Sequence, residues 1–290
     1  MKTVNDFSEY QILDMANGEK LELWNGVKLV RPDPQIIWKE KIHPELWLDA
    51  DAIYHRSKSG GGSWEIRNRK LSTWNIHYKD LTFNLKLMNF KHTGLFPEQA
   101  TNWYFMMDKI KKQKRKIKVL NLFAYTGGAT MAISSAGADV VHVDASKGMT
   151  EWAKENMRLS GLENNFIRFI VDDCLKFVER EYRRGNKYDA IVMDPPSYGR
   201  GPNGEVWKFE ESLYKLIDAC MKILSDEPVF FLVNSYTTGI SSIVLENILK
   251  TTVLKKYPDG TVDAGDVGLP ITRDNLVLPC GIYGRWSKND

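Results

Sequence analysis

The sequence contains little cysteine and no cluster of metal-binding side chains. Its three cysteines, Cys174, Cys220 and Cys280, are widely spaced and odd in number. This pattern excludes a disulfide framework and a zinc ribbon, and it indicates a reducing compartment. No histidine or cysteine group has the spacing of metal ligands, and no Ser-His-Asp arrangement suggests a hydrolase. We therefore predict that the protein holds no metal.

Long apolar segments are also missing. No apolar run approaches the roughly 18 residues that a membrane span requires. The N-terminal segment MKTVNDFSEYQ lacks the apolar stretch of about 7–15 residues that a secretory signal contains. These absences predict a cytoplasmic protein with no membrane partner.

The net charge is small, because 40 lysines and arginines face 37 acidic residues and leave +3. For nucleic-acid binding, the distribution of charge matters more than this sum. Residues 109–118, KIKKQKRKIK, form a strongly basic stretch. The stretch is either the solvated end of a helix that leads into a buried strand, or a rim that contacts phosphate.

The pattern of apolar and polar residues changes near residue 93. Residues 1–92 contain short strand patterns, and Asn25-Gly26 between two apolar runs predicts a hairpin. We predict a small β-rich N-terminal domain, either a substrate platform or a lid, over 1–92.

Residues 93–290 alternate apolar runs with helical patterns, which is typical of an α/β fold with a doubly wound, mostly parallel sheet. The predicted strands are Val119–Phe123, Val140–Asp144, Ile167–Val171, Ala190–Asp194 and Val229–Val233. The predicted helices are Glu98–Lys112, Ala129–Ala136, Met149–Leu159, Leu175–Arg184, Phe209–Leu224 and Ile240–Leu249. After residue 253 we expect turns and a final strand near Leu276–Tyr283.

Glycines and carboxylates follow the first three strands of this pattern. Gly127 and Gly128 predict a tight turn after the first strand, but the three glycines of a G-x-G-x-x-G nicotinamide site are not there. Asp144 ends the second strand, where a carboxylate can accept hydrogen bonds from the ribose hydroxyls of an adenosine-type ligand. Asp173, or its neighbour Asp172, follows the third strand and can receive an adenine amine. Each acid can instead be only a helix cap.

The fourth strand ends in Met193-Asp-Pro-Pro-Ser-Tyr-Gly199. Pro195 and Pro196 fix the backbone, so they hold Asp194 rigidly at the carboxyl edge of the sheet. An acid placed there can bind an amine nucleophile, and Tyr198 can stack on a base. The alternative is that the prolines merely terminate a strand.

The glycine-rich segment 198–207 follows the two prolines. It is either a flap that the substrate closes, with Arg200 at a phosphate and Trp207 at a base, or a plain mobile loop.

The order of the motifs NLFAYTGG, HVDAS, VDDC and MDPPSYGRG resembles the class I S-adenosylmethionine-dependent methyltransferase core. It is most similar to the bacterial ribosomal-RNA large-subunit methyltransferase family, over residues 93–286. The resemblance implies a Rossmann-like sheet with one antiparallel strand, S-adenosyl-L-methionine as cofactor, and methylation of ribosomal RNA bases. It also implies catalytic roles for the DPP-x-Tyr residues Asp194, Pro195, Pro196 and Tyr198. The pocket residues that it implies, with their motif neighbours, are Gln99, Phe123, Tyr125, Thr126, Gly127, Asp144, Ala145, Ser146, Asp172, Asp173 and Asp194. Asn156 occupies a further family position, and its role is left open.

Two features bear on the methylated atom. Carbon-5 methylation of cytosine needs a cysteine nucleophile, and the loops after the fourth and fifth strands contain none. Cys280 lies in Leu-Pro-Cys-Gly, where we interpret it as a packed structural thiol. Nitrogen is therefore the favoured acceptor.

Other functions remain as alternatives. They are methylation of a small molecule or protein, a non-catalytic RNA-binding protein, and a nicotinamide oxidoreductase, which the missing glycine disfavours. A homodimer is left open.

Overall fold

The computed structural model describes residues 1–57, 61–271 and 273–289. The chain divides into two compact units. Unit 1 comprises Met1–Lys2, Thr101–Val267 and Cys280–Asp290, and unit 2 comprises Thr3–Ala100 and Gly268–Pro279. Residues 93–100 thus group with unit 2, and the functional boundary after residue 92 stays a prediction.

Strands and helices are numbered in chain order. The strands are β1 Lys2–Thr3, β2 Tyr10–Ala16, β3 Glu19–Trp24, β4 Val27–Pro32, β5 Ala52–Arg56, β6 Gly62–Ile66, β7 Thr73–Tyr78, β8 Leu81–Lys86, β9 Lys118–Leu122, β10 Asp139–Asp144, β11 Ile167–Val171, β12 Ala190–Met193, β13 Tyr198–Arg200, β14 Val206–Lys208, β15 Phe230–Ser235, β16 Gly260–Ile271 and β17 Leu276–Lys288. The α-helices are α1 Ala100–Lys111, α2 Gly128–Ser135, α3 Lys147–Leu159, α4 Cys174–Arg183, α5 Phe209–Met221 and α6 Ser242–Leu249. Short 3₁₀ turns cover Pro44–Trp47 and Pro97–Gln99, and a π-helical turn covers Lys250–Leu254.

Unit 2 is rich in β-structure, as the sequence predicts. Strands β2 to β6 form one sheet in chain order, and β7 pairs with β8. Strands β3 and β4 are antiparallel and joined by Asn25 and Gly26, both with positive φ, as a two-residue hairpin turn requires. The predicted hairpin is therefore confirmed.

The sheet of unit 1 has the order β1-β16-β17-β15-β12-β9-β10-β11. The five strands from β15 to β11 are parallel, and β17 is antiparallel to β15. This confirms the predicted doubly wound, mostly parallel sheet. Strands β10 and β11 lie on one side of β9, and the next strands, β12 and β15, lie on the other, so the topological switch point is between β9 and β12. Leu122 pairs with Met193, so both strands end at the same level.

Helices cover the sheet, because its central strands are mostly apolar and both of their faces must be buried. Leu120, Val141, Ile191 and Phe231 are essentially fully buried in one core.

Residues 260–271 form β16, so the expectation of turns in this region is wrong. The glycines that suggested turns make room for aromatic rings. A Cβ on Gly260 would lie 2.4 Å from the Trp286 ring, and one on Gly265 would lie 3.2 Å from the Tyr283 hydroxyl. Glycine inside a strand thus marks a close approach here, not a chain reversal.

The basic stretch 109–118 ends α1 and enters β9. Several of its cations form ion pairs: Lys112 with Asp108 at 3.0 Å, Arg115 with Asp189 at 2.8 Å, and Lys116 with Asp139 at 3.2 Å. This favours the interpretation as a solvated helix end.

Across the described residues, no helix is long and apolar enough to cross a membrane. The same residues contain no group of three or more side chains suited to hold a metal ion.

Candidate functional site

The loop after β9 has an unusual backbone. Phe123, Tyr125 and Gly127 have φ values of 53°, 51° and 86°, in the left-handed region. Bulky residues rarely adopt this conformation, and such strain persists only where neighbouring contacts hold it. The Ala124 amide donates to the Val143 carbonyl at 3.0 Å, which ties the loop to β10.

Asp144 holds the loop after β9 at a second point. Its Oδ2 accepts the Tyr125 amide at 2.8 Å, and its Oδ1 accepts the Ser146 amide at 2.8 Å. One carboxylate thus joins the loop after β9 to the turn after β10. Burial raises the pKa of Asp144, while the amides of Ser146 and Tyr125 act in the opposite direction. A carboxylate has about four acceptor positions, so two remain for further donors.

Asn156, whose role the sequence left open, supports the same loop. The side chain is fully buried in α3, and its Nδ2 donates to the Thr126 carbonyl at 2.9 Å. Gly127 follows, and a Cβ there would lie 3.1 Å from both Ala153 Cβ and Met131 Cε. The turn therefore needs glycine both for its φ and for its contact with α3.

Gly127→Ala is accordingly expected to lower the free energy of unfolding by about 1–2 kcal/mol, since a left-handed φ carries roughly that cost for alanine. Urea unfolding measures the change. Gly137→Ala is a control with the same sign of φ, +100°, and open space around its Cβ. A crowded site predicts that Gly127→Ala is the more destabilising of the two, and equal losses would contradict the packing argument.

The acids after β11 have different surroundings. Asp172 accepts the Asp173 amide at 2.8 Å on Oδ1, and its Oδ2 is paired with Arg180. Asp173 caps α4 through Oδ1, which accepts the Lys176 amide at 2.9 Å. Ser146 similarly caps α3, its hydroxyl accepting the Met149 amide at 3.4 Å. Asp173 Oδ2 accepts no hydrogen bond from the described residues, so Asp173 is the better candidate for an external donor.

Asp194 follows β12 at the switch point. Its Oδ1 accepts the Asn234 Nδ2 at 3.0 Å. Met193 pairs with Val233, so the register places Asn234 directly across from Asp194. Asn234 could not be recognised from the sequence, because only the pairing of β12 with β15 brings the two residues together.

The two prolines after Asp194 are held by a hairpin. Strands β13 and β14 pair antiparallel, in the segment where we predict either a flap or a plain mobile loop. Trp207 in β14 donates its Nε1 to the Pro196 carbonyl at 2.6 Å, and its ring lies 4.8 Å from that of Phe123. The turn signal Gly-Pro-Asn-Gly at residues 201–204 could have indicated this hairpin.

Trp207 is only 8% exposed and its N–H is engaged, so in this conformation it is not available to a base as we predicted. Tyr198 is 55% exposed, and Arg200 is exposed. These two residues stay predicted substrate contacts. Gln99 belongs to unit 2, in the 3₁₀ turn Pro97–Gln99, and its part in the cofactor pocket also stays a prediction.

Two of the three cysteines have thiols that are not activated. Burial raises the pKa of Cys174 and of Cys220. Cys280 is partly buried in β17, where its predicted structural role is untested.

Comparisons with known proteins agree with this geometry. A family model described as S-adenosylmethionine-dependent methyltransferase matches residues 50–222, more than half of the chain. Ribosomal RNA large subunit methyltransferase K of Neisseria meningitidis is 28% identical over 169 residues, which cover 58% of this chain and 46% of that protein. Ribosomal RNA large subunit methyltransferase K/L of Shewanella frigidimarina is 32% identical over 172 residues, 59% of this chain and 23% of that protein. This chain therefore matches less than half the length of these curated relatives.

A solved structure matches along nearly the whole chain. The S-adenosylmethionine-dependent methyltransferase of Agrobacterium tumefaciens superposes with a TM-score of 0.94 at 35% identity, covering 99% of this chain and 93% of that one. Membership of one family explains these matches, and it also explains the strand order, the glycine turn and the acids at the strand ends. This chain belongs to the S-adenosylmethionine-dependent methyltransferase family.

Proposed function

We propose that this chain transfers a methyl group from S-adenosylmethionine to a base of ribosomal RNA. The observation that carries the proposal is the pairing of β9 with β12. It sets the Asp144-clamped loop and Asp194 at one edge of one sheet, with the Asp194 amide 3.4 Å from the Leu122 carbonyl.

The residues at this edge fit the cofactor. Asp144 keeps two acceptor positions, and the cost of burying its charge favours additional donors such as ribose hydroxyls. Asp173 offers Oδ2 to an adenine amine. Helix α2 has no side-chain cap, unlike α3 and α4, so its first amides suit the carboxylate of an amino-acid moiety. When bound, the cofactor supplies an electrophilic methyl group on a sulfonium.

Asp194 acts on the acceptor. A carboxylate fixed by Asn234 can accept a hydrogen bond from an amine and stabilise the positive charge that develops on the nitrogen. Most of the remaining rate enhancement then comes from orientation. This chemistry favours nitrogen as the methylated atom.

RNA is the proposed substrate because both curated relatives are named ribosomal RNA methyltransferases. Tyr198 and Arg200, exposed beside the Asp194 loop, suit stacking on a base and contact with a phosphate. A cytoplasmic location follows from such a substrate, and a homodimer stays a prediction that sedimentation can test.

The test is methyl transfer from tritiated S-adenosylmethionine to ribosomal RNA from a strain that lacks this chain. We expect label that ribonuclease releases and that protease leaves in place. RNA from the parent strain is the control, because its target base is already methylated. Label that protease releases, or that passes a small-pore filter, would contradict the RNA assignment.

Trp207→Phe tests how the catalytic loop is positioned. The phenyl ring keeps the contact with Phe123 but removes the hydrogen bond to Pro196, so we expect a lower kcat with S-adenosylmethionine affinity nearly unchanged. A lost hydrogen bond typically corresponds to about 1 kcal/mol, or roughly a fivefold decrease. Calorimetry and steady-state rates separate the two quantities. Trp74→Phe is the control, since Trp74 also donates to a backbone carbonyl, but in unit 2. A wild-type kcat in Trp207→Phe would exclude the positioning role.

A further inference from the structure

A buried arginine lies at one end of a chain of amide groups that reaches Asp194. Arg285 in β17 is only 5% exposed, and no described carboxylate forms an ion pair with it. Its guanidinium carbon lies 4.7 Å from the centre of the Phe105 ring and 4.3 Å from that of Tyr283. Burial lowers the pKa of Arg285 to about 10, so the group is still a cation at neutral pH. The more distant Asp263 carboxylate favours the charge of Arg285, but a buried cation that forms no ion pair with a described carboxylate is still costly and calls for a reason.

The polar partner of Arg285 is Asn102 in α1. Arg285 donates to Asn102 Oδ1 from Nε at 3.0 Å and from Nη2 at 2.5 Å. Asn102 Nδ2 donates to Asn234 Oδ1 at 3.5 Å, and Asn234 Nδ2 donates to Asp194 Oδ1 at 3.0 Å. Asn102 and Asn234 are each 1% exposed. The three links therefore form a buried series from a cation to the acid of the candidate active site.

The direction of every link follows from the chemistry of its ends. Arginine only donates, so Asn102 must turn its oxygen to Arg285 and its nitrogen to Asn234. Asn234 must then present its own nitrogen to Asp194. An amide that could otherwise flip is thus held with a donor facing the carboxylate. Dipoles aligned in this way reinforce one another in a medium of low dielectric constant.

The strand register explains why these residues meet. Leu232 pairs with Arg285 and Asn234 pairs with Tyr283, so all four side chains lie on one face of the sheet. Asn102 and Phe105 lie one turn apart on α1 and contact this face. Arg285 lies outside residues 50–222, which the family model matches, whereas Asn102 lies within them.

We propose that Arg285 is a positioning residue that acts through Asn102 and Asn234 to hold the Asp194 carboxylate in one orientation. The proposal rests on the function proposed above, because it gives Asp194 the acceptor of the methyl group. Arg285 itself contacts no reacting atom.

Asn102→Asp is the sharpest test. The aspartate has almost the same shape and gives Arg285 an ion pair, but it removes the N–H that Asn234 accepts. A purely structural role for Arg285 predicts a variant at least as stable and as active as wild type. The positioning role predicts a thermal midpoint equal to or above that of wild type, a kcat at least about tenfold lower, and KM for RNA and Kd for S-adenosylmethionine within about twofold. A wild-type kcat would overturn the proposal.

Arginine variants provide the second arm. Arg285→Met should lower kcat in the same way, and Arg285→Lys should restore part of it. Arg115→Met is the matched control, because Arg115 also donates to a carbonyl oxygen in unit 1 but is paired with Asp189. Combining Arg285→Met with Asn234→Ala should be no slower than Asn234→Ala alone, since both act on one series of contacts. If the losses in kcat of the two single variants multiply in the double variant, the two residues do not act through one series of contacts.

A spectroscopic readout separates this proposal from the proposed function. In protein labelled with ¹⁵N-asparagine, without RNA or cofactor, the side-chain amide signals of Asn234 report its contact with Asp194. We expect them to shift in Asn102→Asp and in Arg285→Met, and to stay in place in Arg115→Met. If wild type methylates no RNA, the proposed function fails. The Asn234 signals alone then decide whether Arg285 positions Asp194. Unmoved Asn234 signals would overturn the positioning role.

Discussion

Asp194→Asn is expected to slow methyl transfer by about 100-fold or more, the size of effect seen when one charge-stabilising group is removed from an active site. The substitution keeps the shape of the side chain and can still accept the Asn234 amide, which lies 3.0 Å from Oδ1. It removes the negative charge that, in the proposed reaction, stabilises the amine as it gains the methyl group. S-adenosylmethionine affinity should hardly change, because the acid acts on the acceptor.

Initial rates with tritiated cofactor and calorimetry of cofactor binding measure the two effects separately. Asp189→Asn is the control, since Asp189 lies at the opposite end of β12 and accepts the Lys118 amide at 2.9 Å. We expect it to retain methyl transfer. Equal rates for Asp194→Asn and wild type would show that the charge of Asp194 plays no part in the reaction.

Asp144→Ala should produce the largest loss of cofactor affinity. The variant would leave the ribose hydroxyls that we assign to Asp144 without an acceptor, and it releases the amides of Tyr125 and Ser146 that hold the loop. An unpaired buried polar group costs about 1–3 kcal/mol, so Kd should rise roughly 5- to 150-fold. Calorimetric titration with S-adenosylmethionine and with its demethylated product measures the change.

Asp139→Ala is the matched control on the same strand. Asp139 begins β10, pairs with Lys116 at 3.2 Å and lies at the edge away from the cofactor. Its loss should leave Kd near the wild-type value. The wild-type protein should bind NAD far more weakly than S-adenosylmethionine, because its loop lacks the third glycine of a dinucleotide site. An Asp144→Ala variant with wild-type affinity would remove Asp144 from the cofactor site.

Much of the fold could be predicted from local patterns. The predicted strand 167–171 matches β11 at both ends, and the other central strands differ by one or two residues. Continuous apolar runs separated by amphipathic helices have few alternatives to a parallel sheet, because both faces must be buried. The main error, at 260–271, arose because glycine in a strand and glycine in a turn look alike until the facing aromatic ring is known.

The candidate site was only partly predictable. Asp144 and Asp194 could be proposed because each follows a strand at an edge where parallel strands bring their ends together. Trp207 was assigned to the substrate, yet it is buried against Phe123 and Pro196. An exposed and a buried tryptophan are indistinguishable in a glycine-rich segment, since burial depends on residues far away in the sequence.

The amino-acid sequence by itself determined the class of fold, and it predicts which edge of the sheet carries the candidate site and which acids lie there. Those features depend on periodicity and on the ends of single elements, which nearby residues encode. Only the tertiary structure decided which groups support the acids. Arg285 and Asn102 are 183 positions apart in the chain, and Asn102 and Asn234 are 132 apart. Their contacts exist because β15, β17 and α1 pack together, and the geometry of that packing is a property of the whole unit.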